Sequence, residues 1–203
     1  MGVLLSFPTL FEYNTLTPLS EFNVTQMKKH CAFLVIGKHQ CGKTALLKDI
    51  YNKLDSQNKF NKVIYVSNQT GKKCFDLNSV VECGADGLEN TSIPTEGDNL
   101  ILVDDCIYSV EDKSHFKRLL MNCRHMNTML GVTDQSILNI KSMLRANFDY
   151  IFYFGNSSDE SNHILSSTYG VEPEVLANLK QFQCVVIDTT HTNPVVSVYG
   201  GTK

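Results

Sequence analysis

The chain has 203 residues, 42% of them apolar and 19% charged, with a formal net charge of −3, which suits one domain with a real core and is too little for two of ordinary size. That balance excludes disorder as the main state, and no apolar run approaches the roughly 18 residues that a membrane-spanning helix needs. Ten lysines face four acidic residues up to Phe75, whereas eight basic residues face seventeen acidic ones from Asp76 onward; the split fits either a polyanion-facing edge or ordinary surface variation.

Residues 1–29 have no firm period and contain Pro8 and Pro18, so they read as an N-terminal arm able to add an edge strand. Gly2 and Ser6 formally match an acylation pattern, and no secretory leader is visible, so the chain is expected to stay inside a cell. From Cys31 the punctuation becomes regular, and residues 30–203 are expected to form one domain. Residues 31–36 read as a buried strand. Residues 43–54 read as a helix with Leu46, Leu47, Ile50, Tyr51 and Leu54 on one face. A second strand is expected at 62–67, short elements and loops at 68–98, and a third strand at 100–103. A helical pattern follows at 111–127, then a strand at 128–133, a helix at 136–145 and a strand at 150–154. Strands alternating with helix-length segments need crossover connections, hence an α/β fold with a mainly parallel sheet flanked by helices. Helical patterns at 159–167 and 173–182 precede two further strands at 184–187 and 195–199, expected as a terminal antiparallel pair.

The segment GKHQCGKT matches GxxxxGK[ST] and lies between a predicted strand and a predicted helix, the context that the motif requires. Gly37 and Gly42 let the backbone curl, so that Gly37, Lys38, His39, Gln40, Cys41 and Gly42 can turn N–H groups inward, while the helix N-terminus adds its positive end. Polyphosphate is the natural guest. Lys43 would reach the β and γ phosphates of ATP, and the Thr44 hydroxyl would ligate Mg²⁺. The run NLILVDD then puts Asp104 at the carboxyl end of a buried strand, where it can join the Mg²⁺ shell. Asp105 points differently and can place or deprotonate an attacking water, or else caps the following turn. Gln135 ends the fourth strand and is a γ-phosphate sensor candidate, with a surface amide as the plainer alternative. Arg124 precedes the same strand, too far from its own phosphates but able to enter a neighbour's site; His125 either positions it or the nucleotide, or is structural.

Seven cysteines, none spaced CxxC, read as reduced thiols rather than a disulfide framework or zinc ribbon. Cys41, inside the phosphate loop beside Lys43, is expected to have a lowered pKa and to lose nucleotide binding on alkylation. Lys28, Lys29, Lys72 and Lys73 are weak candidates for sequence-independent contacts to a DNA backbone.

Taken together, GKHQCGKT, ILVDD, CRHMNTMLGVTDQS, ILNIKSMLRANFDYIFYF and NSSDESNHILSSTYG resemble the FtsK–HerA superfamily of DNA-pumping P-loop ATPases, and within it the poxvirus-type genome-packaging ATPases of large DNA viruses. The resemblance covers residues 31–188. It implies the additional-strand type of P-loop fold, with the strands above in the order 5-1-4-3-2. It also implies ATP hydrolysis coupled to translocation of double-stranded DNA and a homo-oligomeric ring, a pentamer or hexamer. A capsid protein would be the partner, in the host cytoplasm or the virion. Arg124 looks like the family's trans-acting arginine finger, with Arg145 a second candidate. The chain departs from the superfamily in having Asp105 where Glu is usual, and it carries no separate DNA-guiding or nuclease domain. Two competing readings remain: a nucleoside or nucleotide kinase, for which lid arginines are short, and a nucleotide-binding switch with little turnover.

Overall fold

The computed structural model describes residues 19–58, 60–68, 80–90, 92–94, 96–155 and 158–200 of the chain. Among these residues eight strands build one sheet: β1 (Ala32–Ile36), β2 (Lys62–Ser67), β3 (Val80–Cys83), β4 (Asn99–Asp104), β5 (Thr128–Asp134), β6 (Tyr150–Tyr153), β7 (Gln183–Asp188) and β8 (Val195–Gly200). Their order is β3-β2-β4-β5-β1-β6-β7-β8. The first six are parallel, and β7 and β8 turn the sheet antiparallel at its far edge. The central order expected from the sequence is therefore present, with β3 added beside β2. That strand falls in the polar stretch where no period was visible.

Parallel strands buried on both faces need apolar side chains at every position, and β1 has them. Ala32, Leu34 and Ile36 enter one core while Phe33 and Val35 enter the other. Helix α1 (Lys43–Asn58) covers the second face with Leu46, Leu47, Ile50, Tyr51 and Leu54, side chains whose burial is worth up to about 1.5–3 kcal/mol each. The opposite face is covered by α2 (Gly87–Asn90), α3 (Ile107–Val110), α4 (Ser114–Asn122), α5 (Ser142–Arg145), α6 (Asp159–Tyr169) and α7 (Pro173–Ala177). Among the described residues no helix is long and apolar enough to cross a membrane, and none of the six described cysteines forms a disulfide. Gly2, Ser6, Lys72, Lys73 and Cys74 lie outside the described residues.

Three expected helices are shorter than their sequence pattern. Residues 136–145 divide into a 3₁₀ turn (Ile137–Asn139), an extended Ile140 with φ −103° and ψ 122°, and α5. The cause is side-chain competition: the Ser136 hydroxyl accepts from Leu138 N, and the Asp134 carboxylate accepts from Ser136 N and the Asn139 amide. Residues 173–182 are helical only through Ala177, after which Phe182 takes a left-handed φ of 64°. The helical pattern at 111–127 becomes α4 and a 3₁₀ turn (Cys123–Met126) ended by left-handed Asn127. At the N-terminal side, Phe22 N donates to Val198 O, Glu21 bridges β8, and Val24 and Met27 are buried against the α1-side core.

Candidate functional site

Because β1, β4 and β5 are adjacent and parallel, the residues that follow or end them collect at one carboxyl edge, where ligands bind in open α/β sheets. The loop after β1 curls back there. Gly37 N donates to Asp134 O at 3.1 Å, and a Cβ on Gly37 would lie 2.4 Å from Cys41 Sγ and 2.9 Å from Phe154 Cβ. Gly42 has φ +111°, and Gln40 is left-handed at φ 63°. The first glycine is thus required by close approach and the second by its dihedral. Lys43 opens α1 with its amine turned into the loop, 2.9 Å from Gly37 O, 3.3 Å from Lys38 O and 3.5 Å from an Asp105 carboxylate oxygen.

Asp104, nearly buried at the end of β4, accepts three hydroxyls: Thr44 at 3.1 Å, Tyr65 at 2.5 Å and Thr133 at 2.5 Å. Thr133 also accepts from Asp105 N at 2.9 Å. One hydroxyl on β5 therefore holds both Asp104, the last residue of β4, and Asp105, which follows it. Asp105 sits at φ 49°, a conformation that non-glycine residues occupy mainly where surroundings over-determine it. Helix α3 begins without a side-chain cap, so Asp105 does not cap it. Burial pushes the Asp105 carboxyl above its ordinary 3.8, with Asp104 and Asp134 adding to the rise and Lys43 opposing it. A cleft of 280 Å³ runs along this edge, lined by His39, Gln40, Gly42, Lys43, Thr44, Ala45 and Asp105.

Thr44 and Asp104 offer hard oxygen ligands within hydrogen-bond distance of each other, a donor pair that suits Mg²⁺ completed by water and phosphate oxygens. Among the described residues no group of three or more His, Cys, Asp or Glu could hold a metal by itself, so an ion here would depend on substrate oxygens.

Other expected residues lie apart from this cleft. Gln135 follows Asp134 at the same edge with its side chain exposed. Its backbone is held by the Asp134 carboxylate, which accepts from Gln135 N at 2.7 Å. Arg124 lies at the amino edge, ion-paired to Asp149, whose second oxygen accepts from Ala32 N at the start of β1. Its side chain is 60% exposed while that of Asp149 is 2% exposed. Arg145 donates to the carbonyls of Ile137 and Ile140. Lys29 pairs with Asp98 at 2.7 Å.

Cys41 corrects an expectation: its thiol is raised above the ordinary 9.0, not lowered, because burial outweighs the pull of Lys43 and of the loop N–H groups. Tyr65, Thr133 and Asp134 were missed from the sequence. A signal existed only for the last two, as polar residues ending an apolar strand.

No family model matches the chain. A protein of Acanthamoeba polyphaga mimivirus, the uncharacterized L437, is 23% identical over 201 residues, covering 84% of this chain and 71% of that protein. Among solved structures, the genome packaging NTPase B204 of Sulfolobus turreted icosahedral virus 2, in complex with ATP-gammaS, superposes with a TM-score of 0.70 at 16% identity, covering 84% of this chain and 98% of that one. The pCW3 conjugation coupling protein TcpA, also with ATPgS, superposes at 0.62 and 11% identity, over 86% of this chain and 61% of that one. At these identities the likeness is one of fold: the chain has the P-loop NTPase fold of these packaging and conjugation proteins, the architecture that the sequence resemblance implied.

Proposed function

We propose that the chain is a Mg²⁺-dependent ATPase that works as an oligomeric ring and moves double-stranded DNA into a viral capsid. The observation that carries the catalytic part is the meeting, at one sheet edge, of the Lys43 amine, the Thr44–Asp104 oxygen pair and the second acid, Asp105. Among the described residues Lys43 is held by two carbonyls and one carboxylate, so its ammonium can transfer to β and γ phosphate oxygens, and the N-terminus of α1 adds favourable dipole. Bound Mg²⁺ would supply charge neutralisation to those oxygens, held by Thr44 and Asp104. Asp105 takes a proton from the attacking water as the water oxygen bonds to the γ phosphorus. The bond from that phosphorus to the β–γ bridging oxygen breaks, and ADP leaves with the electron pair. Inorganic phosphate is the other product, and the proton on Asp105 returns to solvent. A carboxylate raised by burial is a stronger base than an exposed one, which suits this role.

The packaging part draws on the fold shared with a viral packaging NTPase and on the sequence resemblance. Arg124, at the edge opposite its own phosphate loop and largely exposed, would complete a neighbour's site rather than its own. Ring size, a capsid partner and a cytoplasmic or virion location follow from the same reading. A kinase lid finds little support among the described residues, since Arg145 is committed to backbone carbonyls and Arg118 sits on the exposed face of α4.

The test is steady-state ATP hydrolysis against protein concentration, with and without long double-stranded DNA, using Lys43→Ala as the blank. A rate per subunit that climbs with concentration and with DNA supports a motor completed by its neighbours. A rate flat in both removes the motor, and nucleoside acceptors become the next substrates to try.

A further inference from the structure

A second cleft, of 310 Å³, adjoins the phosphate cleft and shares His39 and Gln40 with it. Besides these it is lined by Phe154, Gly155, Leu179 and the chain segment Lys180 to Gln183. This segment is the one that fails to continue α7. Lys180 N donates to Gln183 Oε1, closing a tight loop, and Phe182 inside it takes φ 64°, a rare conformation for a bulky aromatic residue. The loop turns the Phe182 ring onto the phosphate loop: its Cδ1 lies 3.2 Å from where a Gly42 Cβ would be, and Phe154 Cε1 lies 3.7 Å away. Even so, 47% of Phe182 is exposed. Phe182 is thus a half-covered ring, held in an uncommon backbone conformation, bordering a cleft that shares His39 and Gln40 with the phosphate cleft.

We propose that this cleft seats the purine base of the nucleotide, stacked against Phe182 and Leu179, and that it separates adenine from guanine only weakly. The proposal rests on the nucleotide reading above and adds where the base lies and how it is read. An occupant whose phosphates lie along Gly42, Lys43 and Thr44 can send its base past His39 and Gln40 into the second cleft, because those two residues line both clefts. The polar side chains available there, His39, Gln40, Lys180 and Gln181, are exposed, and the Gln183 amide oxygen is already engaged by Lys180 N. Strong discrimination between bases needs polar groups that are buried and left unpaired by the wrong base. Exposed amides pay no such penalty, and they can present either their donor or their acceptor. A ring face, by contrast, stacks with any purine.

The experiment measures Kd for ATP, GTP and inorganic tripolyphosphate, each with Mg²⁺, on the wild-type chain, Phe182→Ala and Phe182→Tyr. Phe182→Ala is expected to weaken ATP and GTP alike, by about 5- to 150-fold, and to leave tripolyphosphate unchanged; Phe182→Tyr restores both nucleotides. Wild-type ATP and GTP should differ by less than about tenfold. Three results overturn the seat alone: unchanged ATP affinity in Phe182→Ala, equal losses for ATP and tripolyphosphate, or a wild-type preference for one purine above about tenfold. If the wild-type chain binds neither ATP nor tripolyphosphate, the nucleotide reading falls and the seat falls with it.

Discussion

Thr133→Val isolates a contact that couples the two acids of the site. Thr133 donates to Asp104 Oδ1 at 2.5 Å and accepts from Asp105 N at 2.9 Å, and it is buried. Valine keeps the shape and the strand preference, so the change removes two hydrogen bonds and little else. Each is worth about 1 kcal/mol net, and a stranded buried N–H costs about 1–3 kcal/mol more. Asp104 retains the hydroxyls of Thr44 and Tyr65, which limits the damage on its side. With the Asp104 side discounted, the lost bond to Asp105 N and its stranded N–H leave an expected loss of about 2–4 kcal/mol of stability, read by guanidinium unfolding. The larger effect should be on turnover. Asp105 loses the bond that holds its left-handed backbone, and misplacing a proton acceptor by about 1 Å can cost about 100-fold, so kcat should fall about 10- to 100-fold with little change in KM. Thr133→Ser keeps the hydroxyl and should keep kcat within about threefold while losing a buried methyl worth about 1 kcal/mol. Turnover in Thr133→Val equal to wild type would refute the claim that this hydroxyl positions the base.

Asp105→Asn should cut turnover by at least about 100-fold, yet be no less stable than wild type in urea at pH 7. A carboxyl raised in the folded state loses stability as pH climbs from 3.8 through its raised value, and Asn escapes that cost; the same shift places the acid limb of kcat/KM above pH 3.8, and a limb at or below it contradicts the base assignment. Arg124→Ala strips the partner from buried Asp149, but a 60% exposed guanidinium is solvent-screened, so the cost is about 1–2 kcal/mol rather than a full buried-pair loss. Mixing Arg124→Ala with Lys43→Ala subunits should recover ATPase activity that neither has alone, and a mixture as inactive as its parts would exclude action in trans. Gly37→Ala should lose ATP affinity by equilibrium binding, and adding Cys41→Ala should not restore it, because Phe154 Cβ still stands 2.9 Å from the new methyl. Alkylation of Cys41 followed by peptide mass spectrometry should be slow at pH 7.5 and accelerate with pH, since burial raises the thiol above 9.0; fast labelling at neutral pH would contradict this.

The motifs legible in the sequence are those whose geometry is local. Gly37 to Thr44 form a loop within eight consecutive residues, and Asp104 and Asp105 end an apolar run, so strand direction alone carries both to the same edge. Helix α1 was readable from its apolar face, whereas residues 136–145 kept a helical pattern that local side-chain bonds overrode, and the pattern at 173–182 gives a helix only as far as Ala177. Strand β3, which among the described residues pairs with β2 alone, was hidden because it lies in a stretch without apolar alternation.

By itself, then, the sequence determined the α/β class and the position of the phosphate-loop motif between a strand and a helix, because these follow from short-range periodicity and from rules of chain connection, while the central strand order was implied by the family resemblance. Tertiary structure alone decided that Tyr65 and Thr133 hold Asp104, that Arg124 is paired with Asp149, and that the surroundings of Cys41 raise rather than lower its thiol. Each of these is a contact or a burial between segments distant in the chain, and no local pattern encodes the desolvation or the partner that the packed fold supplies.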